Sequence, residues 1–498
     1  MTSTPLPLFF LLAACMGPGA TDDDRPPTDP TNDTATNETR PDDTGNTGTN
    51  DVVPAELTGA TALLNTEHET VAHVSWNQSE DADVHLEFSF EKDIWATSPV
   101  RSLTAGDHEE LILGVPYDVD VSWRIVADNA GGVTTTPEQS IRTGPVPDYP
   151  PNEVRVADAA AWDTDMEYIF VAVSQGSWIG SRGWTMLVDR EGRVVWAHRS
   201  PSGTNTMHPR LSVNEDAFLI DHSTYFSSFD LTGSEIVELK IDGTEERTWA
   251  VPGQHHPFTQ LPDGSIAYNA YRGPNVSRPE DDVLVVVDPA GKARDVFGCD
   301  AFVSSLGANP SNSGFNYCGS NTLSFSPSRD AFLYSIFTHD TVVEVDAITG
   351  AATRWFGDIS GSYTFGPADS QFWYQHGAYY TDDDTLLVST HSTESSSSDL
   401  AVREYEIDDK AEELVQIYAA GIGSGVPGRQ MGEAHRLPGG NTLHNFGTNA
   451  MVREYDPAGN VVWDLRWEDA QYFGNLEHAV GRSAPVTNSL YDYAPLQP

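Results

Sequence analysis

The sequence predicts an all-β protein in which a small β-sandwich precedes a six-bladed β-propeller. Residues 54–145 alternate apolar and polar side chains in short segments separated by turn residues, without helical periodicity. Strands at this spacing are typical of a sandwich. Beyond residue 152 a second pattern recurs six times at intervals of about 50 residues, which indicates a repeat architecture. Because a four-stranded sheet leaves open edges, six such units are expected to close into a ring.

The recurring pattern is an apolar strand, a polar turn with Asp and Gly, and a second apolar strand that often contains Trp. Each copy predicts the outer hairpin of one blade. The copies are LVDREGRVVW, ELKIDGTEERTW, VVDPAGKARDVF, EVDAITGAATRW, EYEIDDKAEELVQIY and EYDPAGNVVWDLRW.

Residues 1–15 predict a lipoprotein signal peptide. The apolar run from Leu6 to Ala14 is far shorter than the roughly 20 residues that a membrane span needs. It leads into Cys15 through a sequence that resembles the bacterial lipobox, although no Lys or Arg precedes it. We expect an exported chain, anchored through lipid on Cys15 in the outer membrane or at the cell surface, with the periplasm as second choice. Plain secretion with an incidental cysteine is the alternative.

Two segments separate this signal from the propeller. Residues 16–52 are Asp, Thr, Asn, Pro and Gly with almost nothing apolar, so we expect a disordered acidic linker. Residues 53–146 are the predicted sandwich, with Trp76 in its core. Within it, the stretch from Tyr117 to Gly132 resembles a fibronectin type III strand and turn. We expect this domain to be a spacer or docking domain that residues 152–498, the predicted propeller, do not need for folding.

Charge and cysteine content restrict the partners. The chain carries 27 Lys and Arg against 74 Asp and Glu, a formal charge of −47. Nucleic acid is therefore excluded as a partner, because phosphate binding needs a basic face. An anionic substrate would need a local positive field in its site. Apart from Cys15, only Cys299 and Cys318 remain, and in an exported chain they predict a disulfide. Two unrelated buried thiols are the alternative.

Four histidines each stand just before an apolar segment that is followed by a polar turn and a second strand. His478 is a less secure fifth case. If the segments are equivalent blades, their imidazoles meet on one axis. Imidazole changes its charge near neutral pH and serves as base, acid, nucleophile or metal ligand. Covalent transfer through a histidine and a metal held by several histidines both fit. The four main histidines are His208, His256 (preceded by His255), His376 and His435.

The ordered succession of these segments resembles the bacterial arylsulfate sulfotransferase family. The stretches that carry the resemblance, within roughly residues 160–485, are HPFTQLPDGSI, NTLSFSP, VVEVDAITGAATRWFG, QHGA, LPGGNTL and EYDPAGNVVW. The resemblance implies an exported six-bladed propeller after a small sandwich. It also implies sulfuryl transfer from a phenol sulfate to another phenol through a sulfohistidine, without a nucleotide donor or another cofactor.

The resemblance assigns roles to three residues and breaks at two. His376 matches the nucleophile, His256 the first channel histidine, and Asn321 the family asparagine. The family's further histidine falls on Gly319 and its arginine on Phe337. Sulfuryl transfer needs donors on the sulfuryl oxygens, and one such donor is commonly worth ~10²–10³ in rate. Losing this histidine and this arginine would therefore remove most of the activity if no other residue replaced them.

Charge from another blade is one way to compensate for these losses, and the candidates are Arg436, Arg482, His339 and His435. We predict His376 as the nucleophile, with His256, Asn321 and His435 holding the sulfuryl oxygens and relaying protons. His208, His255, Arg436 and Arg482 are the predicted substrate contacts. One alternative is a non-enzymatic surface propeller that binds a ligand or partner. Another is a metal site built from His208, His256, His376 and His435.

Overall fold

The protein is nearly all-β in the part that the structure describes, with two short α-helices, Tyr225–Ser228 (α1) and Cys299–Ser305 (α2). No helix there is long and apolar enough to cross a membrane. Cys15, the predicted signal peptide and nearly all of the predicted linker lie outside the described residues. The computed structural model describes residues 52–175, 183–273, 279–309, 318–428, 430, 432–467 and 478–495.

Nine strands form the N-terminal part in two sheets, one of β1, β2 and β6 and one of the other six. The strands are Leu57–Leu64 (β1), Ala72–Gln78 (β2), Ala82–Glu91 (β3), Ile94–Thr97 (β4), Arg101–Leu103 (β5), Gly106–Ile112 (β6), Asp120–Asn129 (β7), Gly132–Thr135 (β8) and Gln139–Arg142 (β9).

Alternation places one face of the long strands β2, β3 and β7 in a shared core. In β2, Val74 and Trp76 are buried while the residues between and after them are partly exposed. Side chains two residues apart point to the same face of a strand. Trp76 packs with Leu86 and Trp123 in this core, as the sequence predicted.

The strands beyond residue 152 lie in six further sheets. After Glu153–Val156 (β10), the first sheet has Tyr168–Gln175 (β11), Gly183–Asp189 (β12) and Val194–Arg199 (β13), and the second has Arg210–Leu211 (β14), Phe218–His222 (β15), Glu235–Leu239 (β16) and Glu245–Ala250 (β17). The third has Gln254–Gln260 (β18), Ile266–Arg272 (β19), Asp281–Val287 (β20) and Ala293–Gly298 (β21), and the fourth has Ser320–Ser326 (β22), Ala331–Ile336 (β23), Thr341–Asp346 (β24) and Ala352–Gly357 (β25). The fifth has Thr364–Gly366 (β26), Trp373–Tyr380 (β27), Leu386–His391 (β28), Leu400–Asp408 (β29) and Glu413–Ala420 (β30), and the sixth has Glu433–Arg436 (β31), Thr442–Asn445 (β32), Met451–Tyr455 (β33) and Val461–Arg466 (β34). The last strand is His478–Val486 (β35).

Successive strands pair antiparallel within each of these sheets. The C-terminal strand β35 completes the first sheet by pairing with β11. At the outer edges β10 extends the sixth sheet, and β26 runs parallel to β30 in the fifth. Short 3-10 helices cover Phe337–His339, Ala368–Ser370, Gly447–Asn449 and Leu490–Tyr493. The number of these sheets equals the number of repeats in the sequence.

The repeated Asp and Gly residues explain the outer hairpins. Asp288 Oδ1 accepts hydrogen bonds from the backbone N–H of Ala290 and Lys292, at 2.9 and 2.8 Å. Gly291 has a φ of +84°, the left-handed region that favours glycine. The side chain therefore satisfies the backbone of the turn while glycine allows its sharp reversal.

The sandwich shares an apolar core with the first two sheets. Val71, Leu111 and Leu113 belong to the same buried cluster as Trp196 and Phe218. The His68 ring stacks on Trp196 with centroids 4.7 Å apart, and its Nδ1 lies 3.0 Å from the carbonyl oxygen of Ala197. Residues 52–498 accordingly form one compact unit. The expectation of an independent spacer does not fit this shared core.

A disulfide joins Cys299 to Cys318, as predicted from the cysteine count. Cys299 opens α2, whose buried residues Phe302 and Val303 pack with both cysteines in one apolar cluster. The bond ties this short helix to the residues that lead into β22.

Candidate functional site

A buried arginine connects the inner strands of three sheets. Arg482 of β35 has no solvent exposure, and its Nη1 donates to the carbonyl oxygens of His376 and Gly432. Its Nη2 donates to the carbonyl oxygen of Asn321 at 3.0 Å and to Thr322 Oγ1 at 3.3 Å. Burial lowers the pKa of Arg482 to about 10, so the guanidinium stays cationic at neutral pH. A fixed positive charge therefore lies where strands of the fourth, fifth and sixth sheets approach.

The imidazole of His376 is held from one side. Its Nδ1 lies 2.8 Å from the carbonyl oxygen of Tyr374, so Nδ1 carries the proton and donates it. Tyr374 has a φ of +47°, and its N–H donates to Asp340 Oδ1 at 2.5 Å. This left-handed residue turns its carbonyl back toward the ring. Nε2 is left with a lone pair and has no hydrogen-bond partner among the described residues.

The surroundings keep His376 and His256 neutral. Burial, with Arg482 and then His391 as further causes, lowers the pKa of His376 to about 3. Burial also lowers the pKa of His256 well below its usual value, and His255, His208, Arg482 and His376 add to the effect. Both rings are thus unprotonated lone-pair donors near neutral pH, which a nucleophile or base requires.

His256 belongs to a chain of three hydrogen-bonded groups. Its Nδ1 lies 2.5 Å from His255 Nδ1, and His255 Nε2 lies 3.2 Å from Asp282 Oδ1. His255 and Asp282 are wholly buried, and the His255 ring stacks on Tyr271 with centroids 3.5 Å apart. The predicted substrate contact His255 therefore lies behind His256 rather than beside it.

His208 is backed by a carboxylate of its own. Its Nδ1 lies 3.0 Å from Asp221 Oδ2, and the Asp221 Oδ1 accepts the His208 backbone N–H at 2.8 Å. The ring centroid of His208 is 6.2 Å from that of His256. Three of the predicted histidine segments thus meet around Arg482.

Asn321 supports the turn that carries His376. Its Nδ2 donates to the carbonyl oxygen of Gln375 at 2.6 Å, and its Oδ1 accepts from Ser335 Oγ at 2.9 Å. The Gln375 side chain is itself buried and donates to the same hydroxyl at 3.1 Å. These contacts hold the backbone immediately before His376.

Strand register separates His435 from His376. Arg436 of β31 and Tyr380 of β27 each pair with the first residue of the following strand, so they are equivalent. The residue four positions before Arg436 is Gly432, and the residue four positions before Tyr380 is His376. Arg482 donates to the carbonyl oxygens of both. Gly432, not His435, is therefore the equivalent of His376. Sequence spacing alone did not reveal this offset.

His435 instead belongs to a buried ionic cluster centred on Glu433. Its Nε2 lies 2.6 Å from Glu433 Oε1 and 2.8 Å from the carbonyl oxygen of Ser483. Arg210 binds the same carboxylate through both Nη atoms, at 3.1 and 2.8 Å. Burial opposes ionisation of Glu433, but Arg210, His435 and Arg482 outweigh it, so the pKa of Glu433 is lowered.

Arg436 points away from the histidines. It pairs with Glu404, donates to Thr442 Oγ1 at 2.6 Å, and lies 4.8 Å from the Tyr418 ring centroid. Of the predicted residues, the structure brings together His208, His255, His256, Asn321, His376 and Arg482. His435 is connected to Arg482 through Glu433, whereas Arg436 binds Glu404.

Three acidic residues in and around the site, Asp221, Asp282 and Glu433, were absent from the sequence prediction. Asp221 and Asp282 reach their histidines from other strands, so no local motif marks them. Their only signal was an acidic residue within an apolar strand. Glu433 stands two residues before His435 in the same strand, but its contact with Arg210 crosses to β14.

Comparison with known families decides the assignment. The family model described as arylsulfotransferase (ASST) matches residues 156–477, more than half of the 498-residue chain. The chain belongs to the arylsulfotransferase family. No curated protein sequence matches it.

Two positions of this family member depart from the residues that the family resemblance led us to expect. Gly319 has no side chain, and its backbone N–H donates to Thr338 Oγ1 at 3.0 Å. Phe337 begins a 3-10 helix next to β23. His339, at the end of that helix, lies 3.0 Å from Thr338 Oγ1 and 3.3 Å from the carbonyl oxygen of Asn309. The buried cation next to His376 in this family member is Arg482.

The metal alternative finds no support in the described part of this chain. No group of three or more His, Cys, Asp or Glu side chains there is placed to hold a metal ion. The Nδ1 atoms of His208 and His376 are already engaged by Asp221 and by a backbone carbonyl.

Solved structures resemble this chain only distantly. A protein of unknown function from Bacteroides caccae shares 12% identity over 63% of this chain and 99% of its own, with a TM-score of 0.39. A catalytically inactive virginiamycin B lyase from Staphylococcus aureus, with quinupristin, shares 10% over 66% and 98%, with a TM-score of 0.36. A putative 6-phosphogluconolactonase from Bacteroides fragilis shares 9% over 78% and 96%, also at 0.36. TM-scores this low support no conclusion about function.

Proposed function

We propose that this arylsulfotransferase moves a sulfuryl group from an aryl sulfate ester to a phenol through Nε2 of His376. The observation that carries the proposal is the fixed tautomer of His376. Because Nδ1 donates to the Tyr374 carbonyl, the lone pair on Nε2 is available, and burial beside Arg482 keeps it unprotonated.

The reaction has two halves. In the first, the Nε2 lone pair attacks sulfur, the bond between sulfur and the ester oxygen breaks, and the phenolate leaves. In the second, the acceptor phenol gives up its proton, its oxygen attacks the same sulfur, and the bond from sulfur to Nε2 breaks. The lone pair returns to Nε2. A neutral lone pair on His256 is suited to accept the phenol proton.

Arg482 supplies the positive field that an anionic donor needs in so acidic a protein. Its four Nη–H groups donate to oxygen atoms of the protein, so its contribution to the sulfuryl oxygens is mainly its charge. A fixed charge in a dry site needs no reorganisation during the reaction. This arrangement offsets the absence of the arginine expected at Phe337.

The six sheets are, in this proposal, the blades of a closed propeller that follows a fibronectin-like sandwich. The support is that the C-terminal strand completes the first sheet and that Arg482 reaches three other sheets from it. Export with a lipid anchor on Cys15 is part of the same proposal. The Cys299–Cys318 disulfide agrees with an oxidising compartment.

Release of nitrophenol from 4-nitrophenyl sulfate, with and without added phenol, tests the activity. We expect phenol-dependent release by the wild type and none by His376→Asn. Without acceptor, a radiolabelled sulfuryl group should remain on the wild-type chain in alkaline buffer and be absent from the variant.

His108→Asn is the matched control, since His108 is a half-buried sandwich histidine whose Nε2 lies 2.7 Å from the carbonyl oxygen of Thr104. It should keep wild-type activity. Equal background release by the wild type and His376→Asn would contradict the proposal for simple aryl sulfates, and would favour a binding propeller.

A further inference from the structure

Behind the proposed base lies a buried carboxylate–histidine pair that contacts neither His376 nor Arg482 through any described hydrogen bond. Asp282 Oδ1 is 3.2 Å from His255 Nε2, and His255 Nδ1 is 2.5 Å from His256 Nδ1. The rings of His255 and His256 are hydrogen-bonded through their Nδ1 atoms, so they share one proton between them. The other ring nitrogen of His255, Nε2, is hydrogen-bonded to the Asp282 carboxylate.

The hydrogen bonds order the protons along this chain. An ionised carboxylate only accepts, so His255 Nε2 donates to Asp282. In the neutral state His255 Nδ1 then carries a lone pair and accepts the proton of His256 Nδ1. This leaves the lone pair of His256 on Nε2, the nitrogen on the opposite side of its ring.

The charges around the two rings differ in sign. His256 faces the cation Arg482 and the rings of His208 and His376, all of which disfavour a positive charge on it. The His255 Nε2 instead lies 3.2 Å from the Asp282 carboxylate. A proton that arrives at His256 Nε2 is therefore passed on from His256 Nδ1 to His255 Nδ1.

The surrounding contacts make this pair rigid. Asp282 Oδ2 accepts the Ser320 backbone N–H at 2.5 Å, and Tyr334 OH donates to the Asp282 carbonyl oxygen at 3.2 Å. The His255 ring lies parallel to Tyr271, at an interplanar angle of 4°. His255 and Asp282 are wholly buried, so water does not compete for the hydrogen bond between them.

We propose that Asp282 and His255 form a proton relay that holds the proton that His256 takes from the acceptor phenol, from the second half-reaction of one turnover to the first half-reaction of the next. In the second half-reaction the phenol O–H bond breaks, its proton bonds to His256 Nε2, and the proton of His256 Nδ1 moves to His255 Nδ1. In the first half-reaction of the following turnover the protons move back along the same hydrogen bonds, and the leaving phenolate receives the proton of His256 Nε2. No proton is gained or lost over the cycle. His255 and Asp282 are positioning residues that act through His256, and this role rests on the proposed sulfuryl transfer.

The kinetic test compares two acceptors, phenol and a nitrophenol that is already ionised at mildly alkaline pH. Since general acid–base catalysis is worth roughly 10²–10⁴-fold, we expect Asp282→Asn to lower kcat with phenol by about 10- to 100-fold. The loss with the ionised acceptor should be much smaller, because that acceptor has no proton to give. His255→Gln should show the same selectivity.

Asp221→Asn is the matched control, because Asp221 is an equally buried carboxylate that backs His208 instead. If no relay existed and a substitution only damaged the site, kcat would fall by the same factor with both acceptors. Equal losses of Asp282→Asn with both acceptors would overturn the relay.

Nitrogen NMR of the full chain, labelled at histidine, gives a readout that does not need turnover. In the wild type His255 should carry its proton on Nε2 and His256 on Nδ1, the tautomers that the hydrogen bonds to Asp282 and between the rings require. Asp282→Asn should change these tautomers. A wild type with His255 protonated on Nδ1 and His256 on Nε2 would overturn the relay. If the wild type transfers no sulfuryl group, the proposed function fails, and this NMR result still decides where the proton is held.

Discussion

Nη1 of Arg482 lies 3.7 Å from Oε2 of Glu433, and both side chains are buried. The same carboxylate binds Arg210 and His435, so one anion balances the arginines of β14 and β35. Glu433 is therefore the buried negative charge that balances the positive charge of Arg482 in the site.

Glu433→Gln should therefore destabilise the protein strongly. Removing one member of a buried ionic cluster leaves the remaining charges uncompensated, which typically costs about 3–5 kcal/mol. Urea unfolding followed by tryptophan fluorescence would measure the loss. Glu406→Gln, on an exposed position of β29, is the matched control and should change the free energy of unfolding little. A Glu433 variant as stable as this control would disprove the role.

Acid should destabilise the fold through its buried histidines. Burial, with a smaller contribution from Arg453, lowers the pKa of His444 to about 3, whereas an unfolded histidine titrates near 6.5. Between these values the unfolded state binds the proton and the folded state does not, so stability falls as pH falls from about 6.5 toward 3. Each such histidine contributes up to about 1.4 kcal/mol per pH unit in that window.

Unfolding free energies at several pH values in this window, for the wild type and His444→Gln, measure this contribution. The variant should show a shallower pH dependence, because one titrating group is gone. Identical slopes would mean that His444 is not kept neutral by burial.

Removal of the sandwich should prevent folding of the remainder. A chain starting at Pro147 loses Val71, Leu111 and Leu113 and exposes the face of Trp196 that His68 covers. Exposed apolar patches of this kind promote aggregation. Soluble yield and size-exclusion chromatography would test this, and a monodisperse, cooperatively unfolding truncation would contradict it.

A point variant gives a milder form of the same test. Leu111→Ala removes a buried side chain from the shared core and should cost about 2–5 kcal/mol. Leu63→Ala, at a residue 72% exposed on β1, is the control and should be nearly neutral.

Loss of the disulfide should weaken the protein without abolishing the site. Cys299 and Cys318 are 19 residues apart, and closing a loop of this size stabilises by roughly 3 kcal/mol in the chain-entropy model. The double variant Cys299→Ser with Cys318→Ser should show that loss in urea unfolding under oxidising conditions. Reductant should lower the stability of the wild type alone, and an equal effect on both proteins would argue against the bond.

Local patterns were sufficient for much of the fold. The alternation in β2 placed Val74 and Trp76 in a core, and the Asp and Gly of DPAG marked a turn whose backbone the Asp288 side chain does satisfy. Such features depend on residues a few positions apart, so their physical cause is visible in the sequence. The family resemblance was likewise carried by short ordered segments, and the family match confirms it.

The site was only partly predictable. Spacing suggested that His376 and His435 were equivalent, but strand register gives that position to Gly432. A three-residue offset before a strand is invisible to a pattern of apolar residues, since it changes strand pairing and not composition.

The sequence by itself determined the all-β class, the repeat, the disulfide pair, the family and the segment that carries His376, because each follows from local chemistry or ordered motifs. Only the tertiary structure decided which groups surround that histidine. Arg482 comes from the last strand and reaches carbonyls more than 100 residues away in sequence, and Asp282 reaches His255 across the third sheet. Their positions depend on how whole sheets pack and which strands pair, and burial then sets the charge of each imidazole.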